Sequence, residues 1–259
     1  MDHRTIRELE LLGHHAWVAE EKMRLGGWLL RADHGVTRRA NSVLPLKSPD
    51  LPLSLAIDSA VEFYDCRDIV PRFQMTEASQ PEELDAELAQ RGFSVGLQVE
   101  VWTADLSAFV GAQSACETEL LSDATDDWID TYRISSGHES STMPVRHAIM
   151  KRTNQPSTYV RASIDGSTAA TGFGVVEGSW LGVFSIATRP DMRHRGAATA
   201  ISRELGSWAQ KFGAERAYLH VEKDNAEAKS LYTRLGFKHA YRYWYRELIR
   251  GKESECRSC

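Results

Sequence analysis

Two short segments in the last third of this 259-residue chain constrain its fold more than any other feature. Arg193-His194-Arg195-Gly196-Ala197-Ala198 fits R-x-x-G-x-G/A, a tight turn that opens a helix. Asn225-x-x-Ala228-x-x-Leu231-Tyr232 lies on a second helix, which Leu235-Gly236-Phe237 closes. Between them, Ile201, Leu205, Trp208 and Phe212 recur at helical spacing over 197–212, and 217–221 reads as a buried strand. Each piece has an ordinary explanation taken alone. The first is a plain turn, Asn225 an N-cap, and Tyr232 a core or rim aromatic. The two in series, separated by one helix and one strand, are a much more specific signal.

In this order and spacing the segments resemble the GCN5-related N-acetyltransferase superfamily. The resemblance implies an α/β (α+β) fold, a mixed and mostly antiparallel twisted sheet flanked by helices. It also implies transfer of an acetyl group from acetyl-CoA to a primary amine, with no metal. Arg193, His194, the amides of Arg195, Gly196, Ala197 and Ala198, and Thr199 just inside the helix, are then expected to hold the coenzyme diphosphate. Ala198 stands where a second glycine is common in the family. A helix N-terminus suits that ligand, because inward amides offer partial positive charge without desolvating a full cation. The resemblance gives Asn225 a contact to the pantetheine arm and Tyr232 the protonation of the departing thiolate. It also gives the backbone of Ile186, Ala187 and Thr188 the pairing with pantetheine and the polarisation of the thioester carbonyl.

The general base is less sharply marked. His220, on the 217–221 strand, is twelve residues before Tyr232, where some protein-acetylating relatives carry a glutamate. An imidazole titrates near neutrality and suits the task. A hydrogen-bonded strand histidine is the competing explanation, and Glu222, on the same strand face, is the alternative base. The acceptor is expected where the two halves of the chain meet. Trp28, Arg31, Arg38, Arg39 and Asn41 are candidates from the first half, and Tyr132, His138 and Glu139 from the second. Arg38 and Arg39 suit either a substrate carboxylate or a charged strand edge. Gly137-His138-Glu139 lacks the third ligand of a zinc site.

The rest of the chain divides at a weakly patterned connector, giving 1–108, 118–250 and a tail over 251–259. In the first part, 4–24 reads as one or two amphipathic helices, and 28–32 with 36–44 as a hairpin. A helix follows over 54–63, a strand over 69–75 in which Pro71 argues for an edge or a strand start, a helix from Pro81 ended by Gly92 and a strand over 94–104. The second part reads as helices over 126–135 and 145–151, then strands over 158–164, 169–177 and 180–188. A final aromatic strand covers 239–248. Helix, Gly-Phe, strand occurs at Gly92-Phe93 and again at Gly236-Phe237. The first part therefore reads as a degenerate copy of the second, without the coenzyme motifs; an unrelated α/β cap is the alternative.

A net charge of −5 argues against nucleic acid as a partner. No stretch approaches a membrane span, no signal peptide is visible, and four scattered cysteines fit a reducing cytoplasm. Cys256-x-x-Cys259 has no second ligand pair and reads as tail. The expected acceptor is a small-molecule amine, handled by a monomer or homodimer. A protein lysine or N-terminal amine, and a coenzyme-binding sensor without turnover, are the alternatives.

Overall fold

The structure, a computed structural model, describes residues 1–111 and 116–249; Cys256 and Cys259 lie outside the described residues. The first half of the chain runs α1 (His3–Ala16), β1 (Glu21–Leu25), β2 (Trp28–Ala32), β3 (Val43–Pro45), α2 (Leu53–Asp65), β4 (Arg72–Met75), α3 (Leu84–Gln90) and β5 (Ser94–Asp105). The second runs β6 (Glu117–Leu121), α4 (Asp126–Ser136), α5 (Met143–Lys151), β7 (Ser157–Ile164), β8 (Ser167–Glu177), β9 (Trp180–Thr188), α6 (Ala197–Gln210), β10 (Arg216–Glu222), α7 (Ala226–Arg234) and β11 (Lys238–Glu247). These form two compact units. One is Met1–Val99 with the chain from Arg242 onward, and the other is Glu100–Tyr241. The division falls inside β5, upstream of the connector singled out in the sequence, and the end of β11 belongs to the first unit.

In the first unit the strand order is β1-β2-β3-β4-β11, with β3 and β4 parallel and the other pairs antiparallel. Trp28, Leu30 and Ala32 of β2 pack with Val43, Phe73 and Met75 against Ala56, Ile57, Ala60 and Tyr64 of α2 and Leu84 and Leu88 of α3. In the second unit the antiparallel run β6-β7-β8-β9 continues into β10, which is parallel to β9. There Ile201 and Leu205 of α6 and Leu235, the residue that caps the end of α7, share one apolar core with Val160, Leu181, Val183, Leu219 and Val221.

The two halves pass through the same order of elements: β1-β2-β3-α2-β4-α3-β5, then β7-β8-β9-α6-β10-α7-β11. Their closing turns match as well. Gly92 (φ +84°) and Gly236 (φ +86°) are both left-handed. The Phe93 amide donates to Leu88 O, and the Phe237 amide to Tyr232 O, at 3.0 Å in each case. This is the bond that closes a Schellman turn at a helix C-terminus.

Three sequence expectations need correction in the first half. Residues 21–25 form strand β1, not helix; Gly26-Gly27 turns it onto β2 with Leu25 opposite Trp28. The expected return strand over 36–44 is a loop until Val43, because side-chain bonds replace the ladder. Asn41 Oδ1 accepts from the amides of Asp33 (2.7 Å) and Gly35 (3.0 Å), while its Nδ2 donates to Val36 O (2.7 Å) and Thr37 O (2.8 Å). The third helix begins at Leu84 rather than Pro81, after a turn in which the Leu84 amide donates to Pro81 O at 3.1 Å. Strand β6, which the sequence reading left within and beside the connector, pairs with β7 from Glu117↔Ser163 to Leu121↔Tyr159.

Candidate active site

The Arg193–Ala198 segment is a tight turn that opens helix α6, as its glycine and small residues dictate. His194 (φ +60°) and Gly196 (φ +87°) are left-handed, and Gly196 is the residue before the first helical turn. Left-handed residues beside a helix start turn consecutive amides toward a common point, a concavity that receives anions. Arg193, His194 and Arg195 are exposed around it. Arg195 pairs with Asp165 at 2.9 Å, while Arg193 and His194 approach Glu227 at the start of α7, at 3.6 and 3.9 Å. The Cys116 thiol donates to Arg195 O at 3.5 Å.

Two glycines of β8 set where this helix lies. A Cβ at Gly172 would come within 2.3 Å of Ile201 Cγ2, and one at Gly174 within 2.6 Å of Leu205 Cδ2. Only a strand lacking side chains there lets α6 settle this closely.

Strands β9 and β10 make the second part of the site. Their parallel ladder runs from Trp180↔Arg216 to Val183↔Leu219. Phe184–Thr188 and His220–Glu222 continue past its end. At that point β9 is bulged: Ser185 has φ +52°, and its register with β8 slips between Phe173↔Phe184 and Thr171↔Ala187. A non-glycine residue with positive φ inside a strand is a strained conformation held by its surroundings. Ile186 and Thr188, half-buried, and Ala187, buried, follow the bulge. Ser185 Oγ donates to Met150 Sδ of α5 at 3.7 Å.

Asn225 caps α7, its Oδ1 accepting from the Ala228 amide at 3.0 Å. Two turns further along, Tyr232 is 7% exposed and sits in the core shared with Leu219, Val221 and Phe237, its ring 5.5 Å from that of Phe237. Burial raises its phenol pKa above the ordinary 10. His220 lies between Leu219 and Val221, so the strand alternation sends it to the other face. Its ring stacks on Phe184 with centroids 6.1 Å apart and planes at 24°, and meets Tyr218 at 5.8 Å. Tyr232 and His220 thus lie on opposite faces of the sheet. Glu222 is exposed.

The acceptor candidates separate by unit. In the first, Trp28 is fully buried, donating to Gln80 O at 2.9 Å, and Asn41 is fully buried within the loop it organises. Arg38 pairs with Glu247 at 2.9 Å, and Arg39 Nη2 donates to Tyr243 Oη at 3.3 Å. In the second, Tyr132 is buried against Trp128 at 5.3 Å and His138 at 5.1 Å. Burial, helped by the Arg146 cation, pushes His138 down to about 4. Glu139 is exposed in the turn that follows α4. Among the described residues, Glu20, Asp33 and His34 bring ligand-type atoms within 4.8 Å of one another, with Glu20 and His34 themselves bonded at 2.9 Å.

A family model described as probable histone acetyltransferase Rv0428c C-terminal matches residues 4–246. The chain belongs to this family of GCN5-related N-acetyltransferases. It is 31% identical over 248 residues to YobR, an uncharacterized N-acetyltransferase of Bacillus subtilis (strain 168), covering 93% of this chain and 98% of that one. It is 26% identical over 242 residues to Rv0428c, a probable histone acetyltransferase of Mycobacterium tuberculosis, covering 92% of this chain and 73% of that one. A GCN5-related N-acetyltransferase from Kribbella flavida shares the fold with a TM-score of 0.69 at 13% identity, over 95% of this chain and 96% of that one.

For this acetyltransferase, the motif reading missed residues whose parts depend on tertiary placement. The bulge at Ser185, the Phe184 ring under His220 and the Glu227 carboxylate facing the turn have no local pattern. Only Gly172 and Gly174, two glycines at two-residue spacing within a strand, offered a signal of close approach. Among the described residues no helix is long and apolar enough to cross a membrane.

Proposed function

We propose that this chain transfers the acetyl group of acetyl-CoA to the primary amine of a small molecule by direct attack. The observation that carries the reading is the end of the β9–β10 ladder, beside the N-terminus of α6, with Tyr232 on one face and His220 on the other. The turn at 193–198 fits a diphosphate: amides and a helix start for the oxygens, three basic side chains around them. Past the bulge, the β9 backbone carries donors and acceptors that an extended amide arm can use as a strand would. An amide there, aimed at the thioester oxygen, stabilises the charge that develops as the amine attacks.

The two faces then divide the proton work. His220 takes a proton from the substrate ammonium on its side, freeing the amine to attack, and the nitrogen loses its second proton to solvent as the amide forms. Tyr232, kept protonated by burial, gives one to the sulfur as the C–S bond breaks on the other. Asn225 keeps the start of α7 in place and reaches the pantetheine arm. Glu222 remains the alternative base.

A protein amine, at a lysine or a chain N-terminus, is the second reading, and the description of Rv0428c favours it. Thiol release from acetyl-CoA, measured across amino acids, polyamines and aminoglycosides beside lysine-containing peptides, tests the assignment. Turnover with a free amine supports the first reading, and turnover confined to peptides supports the second. Coenzyme binding without turnover on either panel leaves a sensor.

A further inference from the structure

The first unit has a polar face that the transfer reaction does not use. In β2, Trp28, Leu30 and Ala32 enter the apolar core with α2 and α3, so Leu29 and Arg31 face the other way. In β4, Phe73 and Met75 enter that core, and Gln74 faces the other way. Helix α1 contributes Glu10 and His14, one turn apart, which are 2% and 8% exposed.

Arg31 is the unusual member. It is 1% exposed, yet among the described residues its guanidinium donates to uncharged acceptors: Ser42 O (3.1 Å), Ser42 Oγ (2.8 Å) and Gln74 Oε1 (2.9 Å). Those bonds use Nε and Nη2, leaving Nη1 outside them. Glu10 stands one residue removed, its carboxylate accepting from Gln74 Nε2 at 2.5 Å. A buried guanidinium is normally paired with a carboxylate, since its desolvation is otherwise poorly compensated.

His14 supplies the second observation. Its Nδ1 is buried and has no hydrogen-bond partner among the described residues. Burial first, and then the cations Arg31, His15, Lys22 and Arg24, push its pKa down to about 3. The imidazole is therefore neutral at physiological pH, in a positive surrounding, with a hydrogen-bonding edge unused. Burial depresses the Arg31 pKa; the Glu10 carboxylate opposes that, and Arg39 adds to it.

We propose that the α1-facing side of the first unit's sheet is a binding site for a small carboxylate, held between Arg31 and His14. Arg31 Nη1, the guanidinium nitrogen outside those bonds, can donate to a carboxylate oxygen, and the neutral imidazole can donate one further bond. A monoanion balances the buried Arg31 charge. The position has a counterpart in the other half of the chain. Gln74 follows Phe73, which pairs with Val43, as His220 follows Leu219, which pairs with Val183. The degenerate half thus keeps a polar site at the strand position where the second half carries its candidate base. Its test does not depend on the transfer reaction, because acetate binding is read from unfolding without coenzyme or turnover.

The test is thermal unfolding of the full chain in sodium acetate against sodium chloride, at equal ionic strength and pH. The site predicts a saturable rise in melting midpoint with acetate, about 3–6 °C at tenfold excess over half-saturation. Arg31→Gln, which keeps hydrogen-bonding capacity and removes the charge, should abolish the rise. If that variant does not fold, His14→Glu is the second probe. A carboxylate carried there by α1 should raise the midpoint in chloride and remove the response to acetate. An equal rise in chloride, a response that survives Arg31→Gln, or a His14→Glu protein that melts lower and still responds would each overturn the proposal.

Discussion

Leu88 and Tyr232 occupy the same place in the two halves of the chain. Each gives its carbonyl to the amide of a phenylalanine five residues on, at 3.0 Å, across a left-handed glycine. The backbone of the closing turn is the same, and the side chain differs: an alkyl group in one half, a phenol in the other. On this account the phenol is present for proton transfer to sulfur. Tyr232→Phe should fold and bind acetyl-CoA as the parent does, while turnover falls about 10²–10⁴-fold. Steady-state thiol release, with coenzyme affinity measured alongside, checks it. Unchanged turnover would remove Tyr232 from the mechanism.

His220 should show itself in the pH profile. With His220 as the base, kcat/KM rises with pH on the acidic limb, because the neutral imidazole is the active form. His220→Ala should lower turnover and remove that limb, and His220→Gln should not restore it. A parent-like profile in His220→Ala would transfer the role to Glu222 or to water.

The placement of α6 rests on Gly172. An alanine there puts its Cβ within 2.3 Å of Ile201 Cγ2 and 2.8 Å of Ile186 Cδ1. Gly172→Ala should cost about 1–3 kcal/mol by overpacking, read from urea unfolding. It should also weaken acetyl-CoA binding, because Ile186 lies in the bulged segment of β9 and Ile201 in the helix whose start is proposed to hold the diphosphate. Parent-like affinity in a destabilised variant would separate the packing from the coenzyme site.

Asn225 has a structural duty that is measurable without ligand. Asn225→Ala removes the bond to the Ala228 amide and should cost about 1 kcal/mol. Asn225→Asp keeps the cap and should recover most of that loss. Denaturant midpoints of the three proteins decide it.

Two histidines link stability to pH. His138 is held at about 4 and His14 at about 3, below the ordinary 6.5, by burial in both cases and by neighbouring cations. Below about pH 6.5 the unfolded chain takes up protons that the folded chain refuses, so stability falls as pH drops from there toward 4. Their contribution is fully present above that window. His138→Phe should make the decline between pH 6.5 and 4 shallower, and an unaltered slope in chemical denaturation would contradict it.

The sequence revealed elements where turn chemistry and periodicity agree, and missed them where tertiary bonds decide. In the second half Asp165-Gly166 and Glu177-Gly178 punctuate β7, β8 and β9, and strand limits came out within a residue or two. Strand β1 was missed because Glu21–Leu25 is exposed on nearly every residue and has no alternation to read. The 33–42 loop looked like a strand because Asn41, whose side chain replaces the ladder, carries no mark of that role. At the site, the tight turn that opens α6 and the Asn225–Tyr232 helix were legible as local motifs. The bulge at Ser185 and the stack of His220 on Phe184 were not, because register and ring packing are properties of paired strands.

The turn at Arg193–Ala198 and the mutually unpaired ends of β9 and β10 are the proposed seat of acetyl-CoA. Calorimetric titration of the full chain with acetyl-CoA, beside Gly196→Glu, addresses it most directly. Gly196 has φ +87°, so a side chain there strains the turn, and a glutamate adds negative charge where the diphosphate would lie. The account predicts saturable binding by the parent and its loss in a Gly196→Glu protein that remains folded. No binding by the folded parent, or equal binding by both proteins, would contradict it.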